Sequence, residues 1–192
     1  CAMPIRVMKL LGVTYLIASN AAGALKEGYK VGDIMLMKDH INLLGMMGNS
    51  PLRGVNDERF GVRFPPMNRA YDKSLLETAK QVAREMGIEE DVHEGVYVCV
   101  GGPQFETIAE LNLLKMLGCD AVGNTVHEVV TAQHCGVLVF AFSIITNLCV
   151  TDYESLEQAD HVEVLRSARD REHILKKFVS RMVGHIGELV QT

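Results

Sequence analysis

The chain has 192 residues, of which 48% are hydrophobic and 22% are charged, a composition typical of a folded domain rather than a disordered or collagen-like chain. Its formal net charge is −5 and no basic run interrupts that balance, so we expect no nucleic-acid partner. The longest apolar stretch, residues 137–145, is too short to cross a bilayer, and the first residues lack a signal-peptide layout. We therefore expect a cytoplasmic protein with no membrane association.

The cysteines and histidines do not form a pattern typical of a metal site or a thiol enzyme. None of the cysteines forms a CxxC pair, and most have apolar neighbours, which is typical of buried thiols in a reducing compartment. His127 and His134 are about two turns apart on one predicted helix, whereas a metal ion prefers ligands one turn apart. We expect no metal site and no cysteine–histidine hydrolase. The five cysteines are Cys1, Cys99, Cys119, Cys135 and Cys149.

The first third of the chain predicts one helix, two strands and a long loop. An apolar helical pattern covers residues 5–11, and a β-rich run at residues 14–19 leads into a small-residue loop at residues 20–23. A second strand is predicted at residues 33–37. Residues 40–66 are rich in Gly, Asn, Pro and Arg without periodicity, which is typical of a functional loop.

Helices and strands alternate in the rest of the chain. The spacing of apolar residues predicts a helix over residues 71–86, and alternation predicts a strand over residues 92–100. A short strand follows at residues 120–122. The apolar run at residues 137–145 is typical of a central strand covered on both faces, and a long helix begins at about Asp160.

Two sequence patterns predict helix starts. Thr107 with Glu110, and Thr125 with Glu128, have the spacing of capping boxes, in which the threonine hydroxyl and the glutamate satisfy free amides of the first turn. Each would open a helix that a glycine ends.

The alternation of strands and helices predicts an α/β fold, with a twisted, largely parallel or mixed sheet flanked by helices. In such folds, ligands bind at the carboxyl ends of strands. We therefore expect the chemistry to lie in the segments at residues 20–23, 101–106, 123–124 and 146–147.

Two of these segments carry side chains that suit a planar, polar ligand. Phe105 and Glu106 would present an aromatic ring and a carboxylate together, although a glutamate here also suits the positive end of a helix dipole. Asn147 follows the apolar strand, where an unpaired amide would be costly, but it could also cap a turn. Residues 20–23 suit a tight turn or a backbone anion site, and His161 suits a helix surface.

Short sequence blocks in a fixed order carry a resemblance to a known family. The blocks are residues 20–23, 32–35, 39–42, 51–54, 56–61, 63–65, 102–103, 105–107 and 152–157. Together they resemble the trimeric purine nucleoside phosphorylases over nearly the whole chain. Such enzymes transfer the ribosyl group of a purine nucleoside to phosphate, and the resemblance implies no metal or organic cofactor.

The resemblance implies a role for five residues around the purine base. Glu106 would face the N1–H side of the ring, and Asn147 would lie near N7 and O6, where its amide stabilises the charge of the departing base. Phe105, Val122 and Gly123 would line the base.

The resemblance also implies contacts to the sugar, to phosphate and to a second subunit. Tyr97 would help hold the ribose, and His161 would meet its 5′-hydroxyl. The backbone at Ala21, together with Asn124, would hold phosphate. Phe64 would reach into a neighbouring subunit's ribose site, so the expected assembly is a homotrimer.

The chain also departs from the family pattern. The family's first third, with its phosphate loop, has no counterpart here, so we expect residues 1–192 to be a single nucleoside phosphorylase domain without its N-terminal third. Residues 122–125 are one residue shorter than in the family, and Asn124 stands alone where a methionine and a phosphate-binding serine are usual. Leu148 and His127 replace a lysine and a proline.

The expected activity is phosphorolysis of 6-oxopurine nucleosides, such as inosine and guanosine, in purine salvage. The alternatives are a 5′-methylthioadenosine phosphorylase and a nucleoside-binding relic without activity. Asn147 argues against the first, because that activity needs an acid at this position. The sequence leaves the second open.

Overall fold

A closed barrel of five strands organises the chain, and helices pack around it. The computed structural model describes residues 2–191, with side chains to residue 188. The strands are β1 (Tyr15–Ala24), β2 (Ile34–Asn42), β3 (Val92–Cys99), β4 (Ala121–Gly123) and β5 (Leu138–Leu148). The helices are α1 (Ala2–Leu10), α2 (Leu43–Met46), α3 (Lys73–Met86), α4 (Ile108–Met116), α5 (His127–His134) and α6 (His161–Gln191), with a 3-10 turn at Glu89–Asp91.

The strands follow the order β1-β4-β3-β2-β5 around the barrel. The pairs β1/β5, β2/β3 and β3/β4 are parallel, whereas β1/β4 and β2/β5 are antiparallel. The sheet is therefore mixed, and the predicted α/β fold with helices flanking the sheet is confirmed. The barrel closes through a short contact, because β1 pairs with β4 only at Gly23 and Ala24.

A cluster of buried aromatic rings joins β5 to α6. Phe140 and Phe142 of β5 are fully buried, and their ring centroids lie 6.3 and 5.6 Å from that of Phe178 in α6. Met182 and Ile186 extend the same buried stripe one and two turns further along the helix. The predicted central strand and the predicted final helix are both confirmed.

Arg171 fixes α6 to the barrel before the apolar stripe begins. Its Nε donates a hydrogen bond to the Gly32 carbonyl at 2.9 Å, and its Nη2 donates to Asp91 Oδ2 at 2.8 Å. Most of the helix before Arg171 is exposed. Thus α6 is held from its second half, while its first residue, His161, projects beyond this anchored part.

The predicted loop at residues 20–23 is wrong, because these residues belong to β1. There the strand pairs with β5 and, at Gly23 and Ala24, also with β4. A register shift between Ala22 and Gly23 accommodates this crossing. The small side chains are present because two strands approach closely, and not because the chain turns.

Two neighbouring expectations also need correction. Thr146 and Asn147 lie inside β5 rather than after it, because β5 extends to pair with β1 as far as Leu148. The long loop predicted from His40 begins later, since β2 continues to Asn42 and the Asn42 side chain caps α2 by accepting a hydrogen bond from the Gly45 amide.

One of the two predicted capping boxes is confirmed. Thr107 Oγ1 accepts a hydrogen bond from the Glu110 amide at 3.3 Å, and Glu110 Oε2 accepts one from the Thr107 amide at 2.7 Å. The box at Thr125 and Glu128 is wrong. Helix α5 begins only after Val126, whose side chain makes no cap, and the Thr125 amide donates instead to the Tyr97 hydroxyl.

Helix α3 shows the local signals that set its two ends. Asp72 accepts a hydrogen bond from the Leu75 amide and is the N-cap, so the helix starts two residues later than predicted. Gly87 ends it in the left-handed region, at φ 66°.

Across the described part of the chain, no helix is both long and apolar enough to cross a membrane.

Replacing Thr107 by alanine should lower the free energy of unfolding by about 1 kcal/mol, because the amide cap of α4 is lost. The matched control is Thr125→Ala, which has the same sequence spacing to a glutamate but no cap to lose. Urea unfolding of both variants measures the difference. Equal losses would show that the observed box contributes nothing specific.

Candidate active site

A cavity of about 260 Å³ lies where the carboxyl ends of β1, β3, β4 and β5 meet. All four segments selected from the sequence contribute to its wall. Their residues in the lining are Ala21, Ala22, Gly23, Gly102, Pro103, Gln104, Phe105, Glu106, Gly123, Asn124, Thr146 and Asn147. The structure therefore brings these segments together at one cavity, although residues 20–23 and 146–147 belong to strands.

Phe105 and Glu106 reach the cavity from the segment between β3 and α4. Phe105 is 45% exposed, so one face of its ring is open to a ligand. Glu106 is partly buried, and burial raises the pKa of its carboxyl above the ordinary value, with a smaller contribution from the charge of Glu110. The two residues present a flat apolar surface beside a hydrogen-bond acceptor.

Asn147 lies close to the backbone of β1. Its Oδ1 accepts a hydrogen bond from Thr146 Oγ1 at 3.3 Å. A Cβ placed on Gly23 would lie 3.2 Å from Asn147 Nδ2 and 2.7 Å from Cys149 Sγ. Glycine is required at position 23 because these two side chains pack directly on its α-carbon.

The wall contributed by β4 is short and consists of small residues. Val122, Gly123 and Asn124 line the cavity, and Ala21 of β1 lies next to them. A Cβ on Gly123 would come within 3.3 Å of the Ala21 carbonyl oxygen. The backbones of β1 and β4 are thus exposed to a ligand at this point, as a backbone anion site requires.

His161 begins α6 and closes one side of the cavity, together with Val164 one turn later. The expected role of His161 at the site stays a prediction. Val164 was not anticipated, although the three-residue spacing from His161 would have placed it on the same helix face.

Tyr97 and Phe64 lie away from this cavity. Tyr97 is fully buried in β3 and is not part of the lining. Phe64 is 85% exposed and lines a separate depression of about 660 Å³, together with His40, Arg53 and Arg63. The expected ribose contact of Tyr97 stays a prediction, and its hydroxyl lies directly behind Gly123 of the lining.

Cys149 is a lining residue that the sequence did not single out. Burial and the nearby Glu106 raise the pKa of its thiol to about 12, so the thiol stays protonated and acts as a small apolar group. Continuing the alternation of β5 by one residue beyond its end would have placed it on the same face as Asn147.

Among the residues whose side chains the structure describes, the lining contains one carboxylate, one imidazole and several amides, but no lysine or arginine. Within residues 2–191, no group of three or more His, Cys, Asp or Glu side chains is placed to hold a metal ion. The arrangement suits a flat ring that offers an N–H to Glu106 and polar atoms to Asn147, with its face against Phe105.

The sequence profile of the phosphorylase superfamily matches residues 1–183. The chain belongs to the phosphorylase superfamily. Similar curated proteins include the purine nucleoside phosphorylases of Anopheles gambiae, 57% identical over 97% of this chain, and of Mus musculus, 54% identical over 95%. The resemblance stated from the sequence blocks is confirmed.

Solved structures agree with these sequence relatives. The purine nucleoside phosphorylase of Schistosoma mansoni in complex with inosine superposes with a TM-score of 0.93 at 49% identity, over 95% of this chain and 65% of that one. The same protein in complex with adenosine gives the same score and identity. The chain spans 53% of the Anopheles relative and 64% of the mouse relative.

The pKa values of Glu106 and Glu110 should be shifted in opposite directions, which gives an internal control. The pKa of Glu106 is raised by burial, whereas the capping hydrogen bonds from Thr107 lower the pKa of Glu110. As pH falls, Glu106 should therefore lose its charge first, and Glu110 should keep its charge and its cap to a lower pH. Carboxyl ¹³C NMR against pH measures both, and equal midpoints would contradict the assigned environments.

Proposed function

We propose that the protein catalyses phosphorolysis of purine nucleosides that carry a 6-oxo group, such as inosine and guanosine, as a step of purine salvage. The observation that carries this proposal is the placement of Glu106 and Asn147 in one cavity beside the ring of Phe105. Membership of the phosphorylase superfamily supports the reaction class. The named ligands of similar proteins, including inosine and guanosine, support the substrate class.

In the proposed reaction, the bond between the base nitrogen N9 and the ribose carbon C1′ breaks, and a phosphate oxygen bonds to C1′. The electron pair of the broken bond stays on the purine. Glu106 accepts a hydrogen bond from N1–H and orients the ring, while the Asn147 amide stabilises the negative charge that develops at N7 and O6. Partial burial strengthens both interactions, because fewer water molecules compete for these groups.

Sugar and phosphate are proposed to bind at the other end of the cavity. His161 would meet the 5′-hydroxyl, and the backbone at Ala21 with Asn124 would hold phosphate. These positions are supported by their place in the lining and by the exposed backbone of β1 and β4. The proposed reaction uses no metal and no organic cofactor, since phosphate is a co-substrate.

We also propose that the protein works in the cytoplasm. The thiols of the cysteines in the described part of the chain are unpaired, which supports a reducing compartment. Three of them, Cys99, Cys119 and Cys135, are buried as expected, whereas Cys149 is only partly buried. Cys1 lies outside the described residues.

A homotrimer is the proposed assembly, with Phe64 completing a neighbour's ribose site. The support is that Phe64 is a large aromatic on an irregular segment, with its ring exposed and the Arg63 guanidinium 5.6 Å from its centroid. An exposed aromatic of this kind is favourable when a partner buries it.

The purified protein should cleave inosine and guanosine with a kcat/KM at least about a hundredfold above that for adenosine, because N1–H and O6 are absent from the 6-amino ring. Steady-state phosphorolysis of the three nucleosides measures this ratio. Comparable values would contradict the 6-oxopurine proposal. Binding of nucleosides without any turnover would favour the inactive relic, and preference for 5′-methylthioadenosine would favour the other alternative.

Asn147→Ala should lower kcat by about a hundredfold or more and change KM much less, because the amide acts mainly on the charged transition state. Ser143→Ala is the matched control, since it removes a buried hydroxyl from the same strand at a position outside the cavity lining. An unchanged kcat in Asn147→Ala would remove this residue from the mechanism.

Phe64→Ala should raise KM for the nucleoside by about tenfold while leaving the melting temperature close to that of the wild type, because the lost contact lies in the adjacent subunit. Kinetics, thermal melts and sedimentation of the assembled protein test this. A sharp fall in melting temperature with an unchanged KM would make Phe64 a core residue of its own subunit.

A further inference from the structure

The Tyr97 hydroxyl lies beneath the turn formed by residues 123–125, which follows β4 and lines the cavity. Its oxygen accepts a hydrogen bond from the Thr125 amide at 3.1 Å. Tyr97 itself is fully buried in β3. The two residues that follow it in β3 pair with Val122 and Gly123 of β4. Burial raises the pKa of Tyr97, so the hydroxyl is neutral at physiological pH.

The same hydroxyl packs against Gly123 so closely that no side chain fits there. A Cβ on Gly123 would overlap Tyr97 Oη and lie 3.2 Å from Tyr97 Cζ. On its other side, the Gly123 carbonyl accepts a hydrogen bond from the Val100 amide at 2.8 Å. Tyr97 and Val100 therefore hold the turn from two directions.

Nothing within the turn replaces this support. Strand β4 has three residues, and the residue that precedes α5, Val126, makes no side-chain cap. Without the tyrosine hydroxyl, the Thr125 amide would lose its observed acceptor in a partly buried position. The backbone at Gly123 and Asn124, which forms the ligand surface, would then be free to shift.

We propose that Tyr97 is a positioning residue, which orders the 123–125 turn against bound purine and phosphate without touching the ligand. This inference rests on the proposed function for the identity of the ligand. It assigns the hydroxyl a role that differs from the ribose contact expected from the sequence. Tyr97 acts through the Thr125 amide and the α-carbon of Gly123.

The first test needs no ligand and measures hydrogen exchange of the Thr125 amide by NMR. Tyr97→Phe should accelerate this exchange by about tenfold, the effect of losing one hydrogen bond. Tyr71→Phe is the matched control, because the Tyr71 hydroxyl is also buried but contacts His40 and Met37 instead. An exchange rate unchanged in Tyr97→Phe would overturn the proposal.

The second test compares calorimetric binding of hypoxanthine and inosine. A positioning role predicts that Tyr97→Phe weakens binding of both ligands by a similar factor, since the turn faces the base. A direct ribose contact predicts weaker binding of inosine alone, and that result would overturn the proposal. If the wild type binds neither ligand, the proposed function fails, while the exchange measurement still decides whether the hydroxyl holds the turn.

A double-mutant cycle gives the third test. Gly123→Ala alone should strongly weaken hypoxanthine binding, because the new methyl group overlaps the Tyr97 hydroxyl. Gly123→Ala combined with Tyr97→Phe should bind more tightly than Gly123→Ala alone, since the overlapping oxygen is gone. Losses that simply add would contradict the contact on which the proposal depends.

Discussion

The close crossing of β1 and β4 is the constraint on which the barrel and its cavity both depend. These strands pair antiparallel for only two residues, Gly23 with Val122 and Ala24 with Ala121, and this short contact closes the barrel. A larger residue at Gly23 would collide with Cys149 and Asn147. Barrel closure and the position of the Asn147 side-chain amide therefore both depend on the absence of a side chain at residue 23.

The same crossing explains the electrostatic character of the cavity. Backbone groups of β1 and β4 face the cavity, and none of its lining residues in the described part of the chain is a lysine or arginine. The one carboxylate, Glu106, is partly withdrawn from water, which raises its pKa. A pocket of this kind recognises hydrogen-bonding patterns rather than net charge, so it suits a neutral, planar ligand edge.

The local sequence predicted most of the fold where one physical signal dominates. The apolar run of β5 and the capping box at Thr107 depend on burial and on hydrogen bonds within a few residues. The predictions failed where a distant group decides the outcome. The Thr125 pattern matches a capping box, but the Thr125 amide bonds to the Tyr97 hydroxyl, 28 residues away. Residues 20–23 resemble a turn because nothing in the neighbouring sequence shows that β4 will pair with this segment. Four separate cavity segments were nevertheless found, since strand ends in α/β folds meet at one edge.

Helix α6 is anchored in its second half, and its other end, at His161, lies at the cavity. His161 stands 17 residues before Phe178, which corresponds to about 25 Å along the axis, so a tilt of about 5° at Phe178 would displace the imidazole by about 2 Å. The two hydrogen bonds of Arg171 hold the helix at a point about 15 Å from His161. The same tilt about this nearer point displaces the imidazole by only about 1 Å. A contact on the far side of the barrel thus sets how precisely the histidine is placed at the mouth of the cavity.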